Sequence, residues 1–255
     1  MSAERFPVLA EAAHAKGKHV GLRLPQIWRQ EADRFFAQNS AWIRAASFDA
    51  FLVRQFEAFG FLKRSGLLSA QGAPEIVLDS TIYDLNGFAD AMLSELFGTA
   101  CGEENGGGSL WQRAVHTFPL ELNARELAEE GKRFFKEGLR TELIVYGRIP
   151  MMVSAQCIRK TSLNCDKRPS LMFLGDRTGA RLPVRNCCRF CYNVIFNSQP
   201  TVLYDLREEL RKIPHETERF EFTTERPDEV KEILSLKRIP KEMKFTRGYF
   251  RRGVQ

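Results

Sequence analysis

The sequence contains no run of eighteen apolar residues, so it predicts no membrane-spanning helix. Its first residues, "MSAERFPVLAEAAHAKGKH", are charged and have no apolar core, unlike a secretory signal. We therefore expect a cytoplasmic protein with no membrane partner. Thiols stay reduced in that compartment, where clustered cysteines are more often metal ligands or catalytic groups than disulfides.

Signatures of well-known hydrolases are missing as well. The chain has no H-E-x-x-H motif of zinc peptidases and no G-x-S-x-G motif of serine hydrolases. It has only four histidines, at positions 14, 19, 116 and 215. His116 falls in a predicted strand, where a core histidine is favoured over a catalytic one. The glycines of "CGEENGGGS" (101–109) lack the spacing of a phosphate-binding loop, and this segment is predicted to be a linker.

Charge is unevenly distributed along the chain. Residues 1–147 carry 16 Lys and Arg against 19 Asp and Glu, a net charge of −3. Residues 148–255 carry 22 against 13, a net charge of +9. A basic surface can bind nucleic acid or another anionic partner, and it can equally be a solvated face without a partner.

Over the first 150 residues, short apolar runs alternate with helical patterns. The runs predict strands at 19–24, 48–55, 74–80, 113–122 and 141–149, and the patterns predict helices at 28–46, at 87–97 with a stop at Gly98, and at 124–135. Asn123 and Glu126 predict a capping box at the start of the last helix. Strands that alternate with helices predict an α/β fold with a parallel sheet. Five βα units are too few for a closed barrel, and they suit a partial (β/α)8, TIM-like barrel or an open doubly wound sheet over residues 1–150.

The pattern changes after residue 150, and residues 151–255 are predicted to form a second, cysteine-rich α+β region. Residues 151–200 are predicted to be rich in loops. A short charged helix is predicted at 203–213, and a strand, a turn and a helix at 219–234.

Cysteines are concentrated in this second region. Five of the six lie within 35 residues, and these are Cys157, Cys165, Cys187, Cys188 and Cys191. The spacing is C-x7-C, then 21 or 22 residues, then C-x3-C or C-x2-C. Four thiolates can hold a tetrahedral zinc ion or an iron–sulfur cluster. Because adjacent residues project differently, only one of Cys187 and Cys188 is expected to be a ligand.

The spacing leaves the nature of the metal open. Structural zinc sites favour two tight cysteine pairs, and only one pair is tight here, so zinc and a cluster are both compatible with it. Reduced cysteines in a loop, or a disulfide, are the other interpretations. Cations interleave with the cysteines and would stabilise the negative charge of a cluster. They are Arg159, Lys160, Lys167, Arg168, Arg177, Arg181, Arg185 and Arg189.

Several of these segments resemble the signature region of the collagenase-like peptidases, family thirty-two of the peptidases of unknown catalytic type. The most specific segments are "ELIVYGRIPMMVSAQC" and "CDKRPSLMFLGDRTGARLPVRNCCRFCYNVIFNSQP". "LDSTIYDLNGFADAML", "FPLELNARELAEEG" and "FTRGYFRRG" also resemble parts of that family. The resemblance covers roughly residues 20–252.

The resemblance implies a (β/α)8-type barrel followed by a cysteine-bearing region that holds a [4Fe–4S] cluster. Carried over, the ligands would be Cys157, Cys165, Cys191 and one of Cys187 and Cys188, with Cys188 favoured by "CRFCYN". About three βα units that the family has before "HVGLRL" have no counterpart here. We therefore expect residues 1–150 to be the C-terminal half of a barrel, with a partner chain as a possible source of the other half.

Three functions are compatible with these features. The first is hydrolysis of a peptide or protein, as the family resemblance implies. The second is cluster-dependent hydroxylation of RNA or a quinone precursor, which some relatives carry out and which the cysteines and the basic half suit. The third is a non-catalytic subunit or fragment.

Candidate catalytic residues follow from the position of active sites at the C-terminal ends of barrel strands. Polar residues at such ends include Asp79, and the selected candidates are Glu121, Asn123 and Tyr146. The alternative for Glu121 and Asn123 is a role at the start of a helix, as a favourable charge and as an N-cap.

Overall fold

A computed structural model of the chain describes residues 3–68, 74–83, 86–101, 110–162, 165–235 and 239–253. The chain divides into two compact units. The first comprises residues 1–119 and 136–140, and the second comprises residues 120–135 and 141–255. Within the described ranges, no helix is both long enough and apolar enough to cross a membrane.

Four short strands form a parallel sheet in the first unit. They are β1 (Gly21–Arg23), β2 (Ala50–Val53), β3 (Glu75–Leu78) and β4 (Val115–Thr117). Each pairs in parallel with the next along the chain. In β2 and β3, half-buried and buried residues alternate, because successive side chains of a strand point to opposite faces. The predicted α/β class and the parallel pairing are confirmed for this unit.

The helices of the first unit are α1 (Phe6–His14), α2 (Gln30–Gln38), α3 (Ser40–Ala45), α4 (Glu57–Arg64), α5 (Gly87–Cys101) and α6 (Leu110–Arg113). Helices α1 and α4 were not predicted from the sequence, and three further elements differ from their predictions. The predicted helix at 28–46 is divided at Asn39, whose amide nitrogen donates to Phe35 O at 2.7 Å. The stop at Gly98 is wrong, since α5 continues to Cys101. The strand predicted at 113–122 is shortened to three residues, since α6 includes Arg113. The predicted linker lies almost entirely outside the described residues.

The second unit combines one long helix with two groups of strands. Its elements are α7 (Ala124–Lys136), β5 (Arg140–Gly147), β6 (Pro150–Ser154), α8 (Ile158–Ser162), β7 (Leu171–Gly175), β8 (Arg181–Cys187), β9 (Tyr192–Phe196), β10 (Thr201–Val202), α9 (Arg207–Leu210), β11 (Thr217–Glu221) and α10 (Pro227–Leu234). Strand β5 pairs in parallel with β11 and antiparallel with β10. The helix predicted at 203–213 is reduced to the four residues of α9.

Helix α7 packs closely against the segment around Pro214, and a glycine permits this contact. Its buried residues Leu127, Gly131 and Phe134 are spaced by four and three, as expected for one face of a helix. A Cβ atom at Gly131 would lie 2.7 Å from the carbonyl oxygen of Pro214. Glycine therefore permits the close approach of α7 to the segment around Pro214.

The cysteine-bearing part of the chain is a sheet, and the prediction of loops over 151–200 is wrong there. Strands β6–β9 form an antiparallel sheet in the order β6, β9, β8, β7. Strands β9 and β8 are the two central strands of this sheet, and all five residues of β9 are buried. Asparagines, arginines and cysteines interrupt the apolar pattern of β8 and β9, so alternation was not visible in the sequence.

Candidate metal centre

One tight turn, together with the last residue of the strand before it, carries three of the five clustered cysteines. Strand β8 ends at Cys187, which is the register partner of Tyr192 in β9, and the turn between them contains Cys188 and Cys191. Cys188 is buried, with 8% of its surface exposed, whereas Cys191 is exposed. From the sequence, only one of Cys187 and Cys188 is expected to be a ligand, because adjacent side chains project differently. In the structure Cys187 belongs to β8, and Cys188 lies in the turn.

Cys191 adopts a backbone conformation that is unusual for its residue type. Its φ is +51°, in the left-handed region that favours glycine. Lys167, two residues after Cys165, is also left-handed, with φ +56°. Such conformations cost free energy and cluster at functional sites. Two of the four non-glycine residues with positive φ in the described ranges thus lie in the cysteine-bearing segments.

The remaining two cysteines lie on the segment that connects β6 with β7. Cys157 is buried and directly precedes α8, where its carbonyl accepts the backbone N–H and the hydroxyl of Thr161. Cys165 is exposed. The five clustered cysteines are free and form no disulfide with one another.

Three thiols share one electrostatic environment. The pKa of Cys188 is raised, first by burial and then by the proximity of the Cys165 and Cys157 thiols, while Arg159 acts in the opposite direction. Cys188 Sγ donates to the carbonyl oxygen of Arg168 at 3.1 Å. The Cys188 thiol of the turn thus contacts the backbone of the segment that follows Cys165.

Cys191, the fourth predicted ligand, lies in the same turn as Cys188. Its Sγ lies 3.8 Å from the carbonyl oxygen of Cys188. Among the described residues, no three His, Cys, Asp or Glu side chains converge closely enough to hold a metal ion. The thiols of Cys188 and Cys191 face backbone carbonyls, and these contacts orient them.

The cations predicted around the cysteines have different roles. Arg159 contacts Asp166 at 3.1 Å and the carbonyl oxygen of Arg168 at 3.2 Å, which ties the Cys165 segment to α8. Arg181 stacks over the ring of Phe173 at 4.6 Å and Arg185 over Phe196 at 5.5 Å. The other predicted cations are exposed, and they are Lys160, Lys167, Arg168, Arg177 and Arg189.

Two of the predicted catalytic residues lie at the start of α7. Asn123 Oδ1 accepts the backbone N–H groups of Arg125 at 3.0 Å and Glu126 at 3.1 Å, and Glu126 accepts the N–H of Asn123 at 2.8 Å. This is the predicted capping box, which occupies the side-chain oxygen of Asn123. Glu121 is half-buried in the turn before the helix. A catalytic role for either residue stays a prediction.

Tyr146, the third predicted catalytic residue, belongs to a polar group that the sequence did not reveal. Its hydroxyl donates to Glu225 Oε1 at 2.9 Å, and Glu225 Oε2 accepts the backbone N–H groups of Thr223 and Thr224. Burial, followed by the charge of Glu225, raises the pKa of Tyr146, so its hydroxyl stays protonated. Arg148 lies 3.9 Å from Glu225 and donates to the carbonyl oxygens of Asn197 and Ser198.

This polar group lines an open cleft of about 940 Å³. Tyr146 is near the carboxyl end of β5, and Glu225 follows the carboxyl end of β11, which runs parallel to β5. Ligands of parallel α/β sheets bind at such ends. Tyr146 and Glu225 are 79 residues apart, and no motif links them, so only the pairing of β5 with β11 brings them together.

A second buried polar group lies at the carboxyl ends of β2 and β3 in the first unit. Arg54 donates from Nε to Asp79 at 2.8 Å and from Nη2 to Gln26 at 2.7 Å. Arg54 and Asp79 are 8% and 2% exposed. His116 is fully buried and contacts the carbonyl oxygen of Trp111 at 2.9 Å, as expected for a core histidine.

Comparisons with family models, curated proteins and solved structures find no match to this chain. The resemblance to the collagenase-like peptidases therefore stays a prediction from the sequence. The second unit contains two candidate sites, which are the cysteine-bearing segments and the cleft beside Tyr146.

Proposed function

We propose that this chain is an iron–sulfur protein of the collagenase-like peptidase type, with a [4Fe–4S] cluster held by Cys157, Cys165, Cys188 and Cys191. The observation that carries the proposal is that Cys188 Sγ and Arg159 of α8 both donate to the carbonyl oxygen of Arg168, which ties the cysteine turn to the segments that carry Cys157 and Cys165. Cys191 lies three residues beyond Cys188 in the same turn. Cys188 is assigned as the ligand instead of Cys187 because Cys187 still belongs to β8.

The donor set fits an iron–sulfur cluster in the kind of ligand that it offers. Thiolates are the ordinary ligands of such clusters, and the neighbouring cations would offset the negative charge of a four-thiolate site. Cluster binding requires the thiols of Cys188 and Cys191 to turn away from the carbonyls that they face. When bound, the cluster would supply either a covalent staple or an electron-transfer centre. The staple would join three cysteine-bearing segments, which are the turn with Cys188 and Cys191, the residues around Cys157, and the residues around Cys165.

Proton release is expected to accompany metal binding at this site. Ligand thiols must lose their protons, and the raised pKa of Cys188 shows that burial opposes this loss in the metal-free chain. Binding is therefore favoured by higher pH. Arg159 acts in the opposite direction and assists deprotonation of Cys188.

We assign the cleft beside Tyr146 to the peptide or protein substrate of the proposed peptidase. Its volume is in the range of small-molecule sites, and its polar groups are held in place by hydrogen bonds. Tyr146 supplies a protonated hydroxyl, and Arg148 supplies a positive charge beside the Glu225 carboxylate. In this proposal the guanidinium of Arg148 orients a substrate carbonyl, and the Tyr146 hydroxyl, which donates its one proton to Glu225, holds that carboxylate in place beside Arg148.

A second candidate function is cluster-dependent hydroxylation of RNA or a quinone precursor. The observation that favours it is the set of exposed cations around the cysteines, since Lys160, Lys167, Arg168 and Arg189 could hold phosphates. Peptide hydrolysis changes no oxidation state, whereas hydroxylation is a two-electron oxidation that needs an external oxidant, and in this candidate function the cluster would carry the electrons. Loss of the cluster should therefore abolish hydroxylation and leave hydrolysis in place if the cluster is only structural.

The test is anaerobic purification of the full chain, with iron, sulfide and zinc quantified and a visible spectrum recorded. Wild type is compared with Cys188→Ala, and Cys187→Ala serves as the matched control from the neighbouring position. We expect about four irons and four sulfides per chain in wild type and in the control, and loss of both in Cys188→Ala. One zinc ion without iron would refute the cluster, and loss in Cys187→Ala alone would refute the ligand assignment.

Activity is then measured with protein substrates and with RNA, before and after removal of the cluster. Tyr146→Phe removes the hydroxyl and keeps the ring in its place. We expect peptide hydrolysis to fall in this variant, while its iron content stays at the wild-type value. Unchanged hydrolysis in Tyr146→Phe would refute the assignment of the cleft.

A further inference from the structure

Two buried asparagines lie beside the cysteine turn and face each other across two strands. Asn186 directly precedes Cys187 in β8, and Asn193 follows Tyr192 in β9. They are register partners of the antiparallel pair, so their side chains lie on the same face of the sheet. Their exposed fractions are 2% and 0%. We refer to Asn186 and Asn193 as the asparagine pair.

The two asparagines donate to two places in the connection between β6 and β7, one beside Cys157 and one beyond Cys165. Asn193 Nδ2 donates to the carbonyl oxygen of Gln156 at 3.0 Å, and Gln156 directly precedes Cys157. Asn186 Nδ2 donates to the hydroxyl of Ser170 at 2.8 Å. The backbone N–H of Asn186 also donates to the carbonyl oxygen of Ser170 at 3.1 Å.

Ser170 connects this network to the Cys165 segment. Arg159 donates both to the Ser170 hydroxyl at 3.3 Å and to the carbonyl oxygen of Arg168 at 3.2 Å. The same Arg168 carbonyl accepts the Cys188 thiol. The asparagine pair thus links the turn that carries Cys188 to the two segments that carry the other thiols.

Burial of these two side chains is unfavourable for the fold alone. The Oδ1 atoms of both asparagines are buried and have no hydrogen-bond donor within the described part of the chain. A carbonyl can only accept, so the contact with Gln156 O fixes the amide nitrogen of Asn193 and leaves its Oδ1 on the other side. Apolar residues at both positions would remove this cost, while they would also remove the links between the segments.

We propose that the asparagine pair positions the three cysteine-bearing segments for metal binding. This inference rests on the proposed function, and it assigns the pair a role that is separate from ligation. The pairing of β8 with β9 fixes the positions of Asn186 and Asn193, and the hydrogen bonds of the two side chains hold the flanking segments in turn. Residues that orient ligands in this way typically change metal affinity about 10–100-fold when they are replaced.

Asn186→Leu and Asn193→Leu test the proposal, because leucine fills a similar volume without a donor. Thr201→Val is the matched control, since it removes another buried hydroxyl oxygen that lacks a donor in the described residues, from outside the cysteine-bearing segments. Ser170→Ala removes the acceptor of Asn186 from a half-buried position, so it keeps the test available if a leucine variant fails to fold.

The first measurement uses the reduced, iron-free full chain and a reagent that fluoresces only after it has joined two thiols. We expect the yield of joined thiols to fall several-fold in Asn186→Leu, Asn193→Leu and Ser170→Ala, and to stay unchanged in Thr201→Val. The second measurement is iron loss from the loaded protein to an excess of chelator. Weaker iron binding by about 10–100-fold is expected in the same three variants, together with an altered electron paramagnetic resonance spectrum.

The two measurements separate this inference from the proposed function. Wild-type yields and wild-type iron retention in the three variants would overturn the role of the asparagine pair. A wild-type protein that binds no iron, with reduced thiol joining in the variants, would refute the cluster and support the positioning role.

Discussion

Replacement of Cys191 by glycine should separate stability from metal binding. Cys191 has a φ of +51°, and a residue with a Cβ atom in this conformation costs about 1–2 kcal/mol relative to glycine. Glycine loses more chain entropy on folding, by roughly 0.5–1 kcal/mol. Among the residues that the structure describes, the exposed thiol has one long polar contact, of 3.8 Å to Cys188 O, so little is lost with it. The net expectation is a gain of about 0.5–1 kcal/mol for metal-free Cys191→Gly over metal-free wild type.

The assay compares wild type, Cys191→Gly and Cys191→Ala by urea and thermal denaturation, first without metal and under reducing conditions. A change of this size corresponds to a rise in Tm of about 1–4 °C for a chain of this length. Alanine keeps the Cβ atom and the backbone cost, so Cys191→Ala should resemble metal-free wild type. After loading with iron and sulfide, the order should reverse, because only wild type gains stability from a ligand that binds the folded state.

Two results would refute this reasoning. If Cys191→Gly is less stable than Cys191→Ala without metal, the left-handed conformation is not costly at this position. If Cys191→Gly retains a full complement of iron, Cys191 is not a ligand of the cluster.

Three further predictions concern the two units separately. Asp79→Ala leaves Arg54 buried without its carboxylate, and we expect the free energy of unfolding, measured in urea, to fall by about 3–5 kcal/mol. Gly131→Ala brings a Cβ atom to 2.7 Å from Pro214 O, and a loss of about 1–3 kcal/mol is expected by the same method. The hydrogen bond from Arg247 lowers the pKa of Asp205 in the folded state. The stabilisation that Asp205 contributes is therefore present above the ordinary pKa of 3.8, and it is lost as the pH falls through the lower folded-state pKa. The urea midpoint, measured over a series of acid pH values, should show this loss below pH 3.8.

Each of these predictions has a control in the same chain. Asp228 forms an exposed ion pair, and its replacement by alanine should change stability little; a loss equal to that of Asp79→Ala would contradict the argument from burial. Gly87, in a helix with open space around it, should tolerate alanine, unlike Gly131. Asp205→Asn should remove its part of the acid dependence, and an unchanged titration would show that Asp205 does not contribute.

The sequence predicted the elements whose patterns are local. Strands β2 and β3 follow from short runs of Val, Ile, Leu and Phe, and the start of α7 follows from the spacing of Asn123 and Glu126. The antiparallel sheet of β6–β9 was missed, because polar residues in β8 and β9 are buried by their register with neighbouring strands. Burial of that kind depends on pairing between distant residues, which periodicity does not reveal.

The candidate site shows the same division between local and non-local information. Spacing identified the cysteines, while it left Cys187 and Cys188 as alternatives, since they are neighbours in sequence. The end of β8 distinguishes them, because Cys187 is held in the strand by its pairing with Tyr192, and Cys188 lies in the turn, where its thiol donates to the carbonyl oxygen of Arg168. Strand register therefore favours one ligand set where spacing allowed two, and it is register again that brings the asparagine pair together.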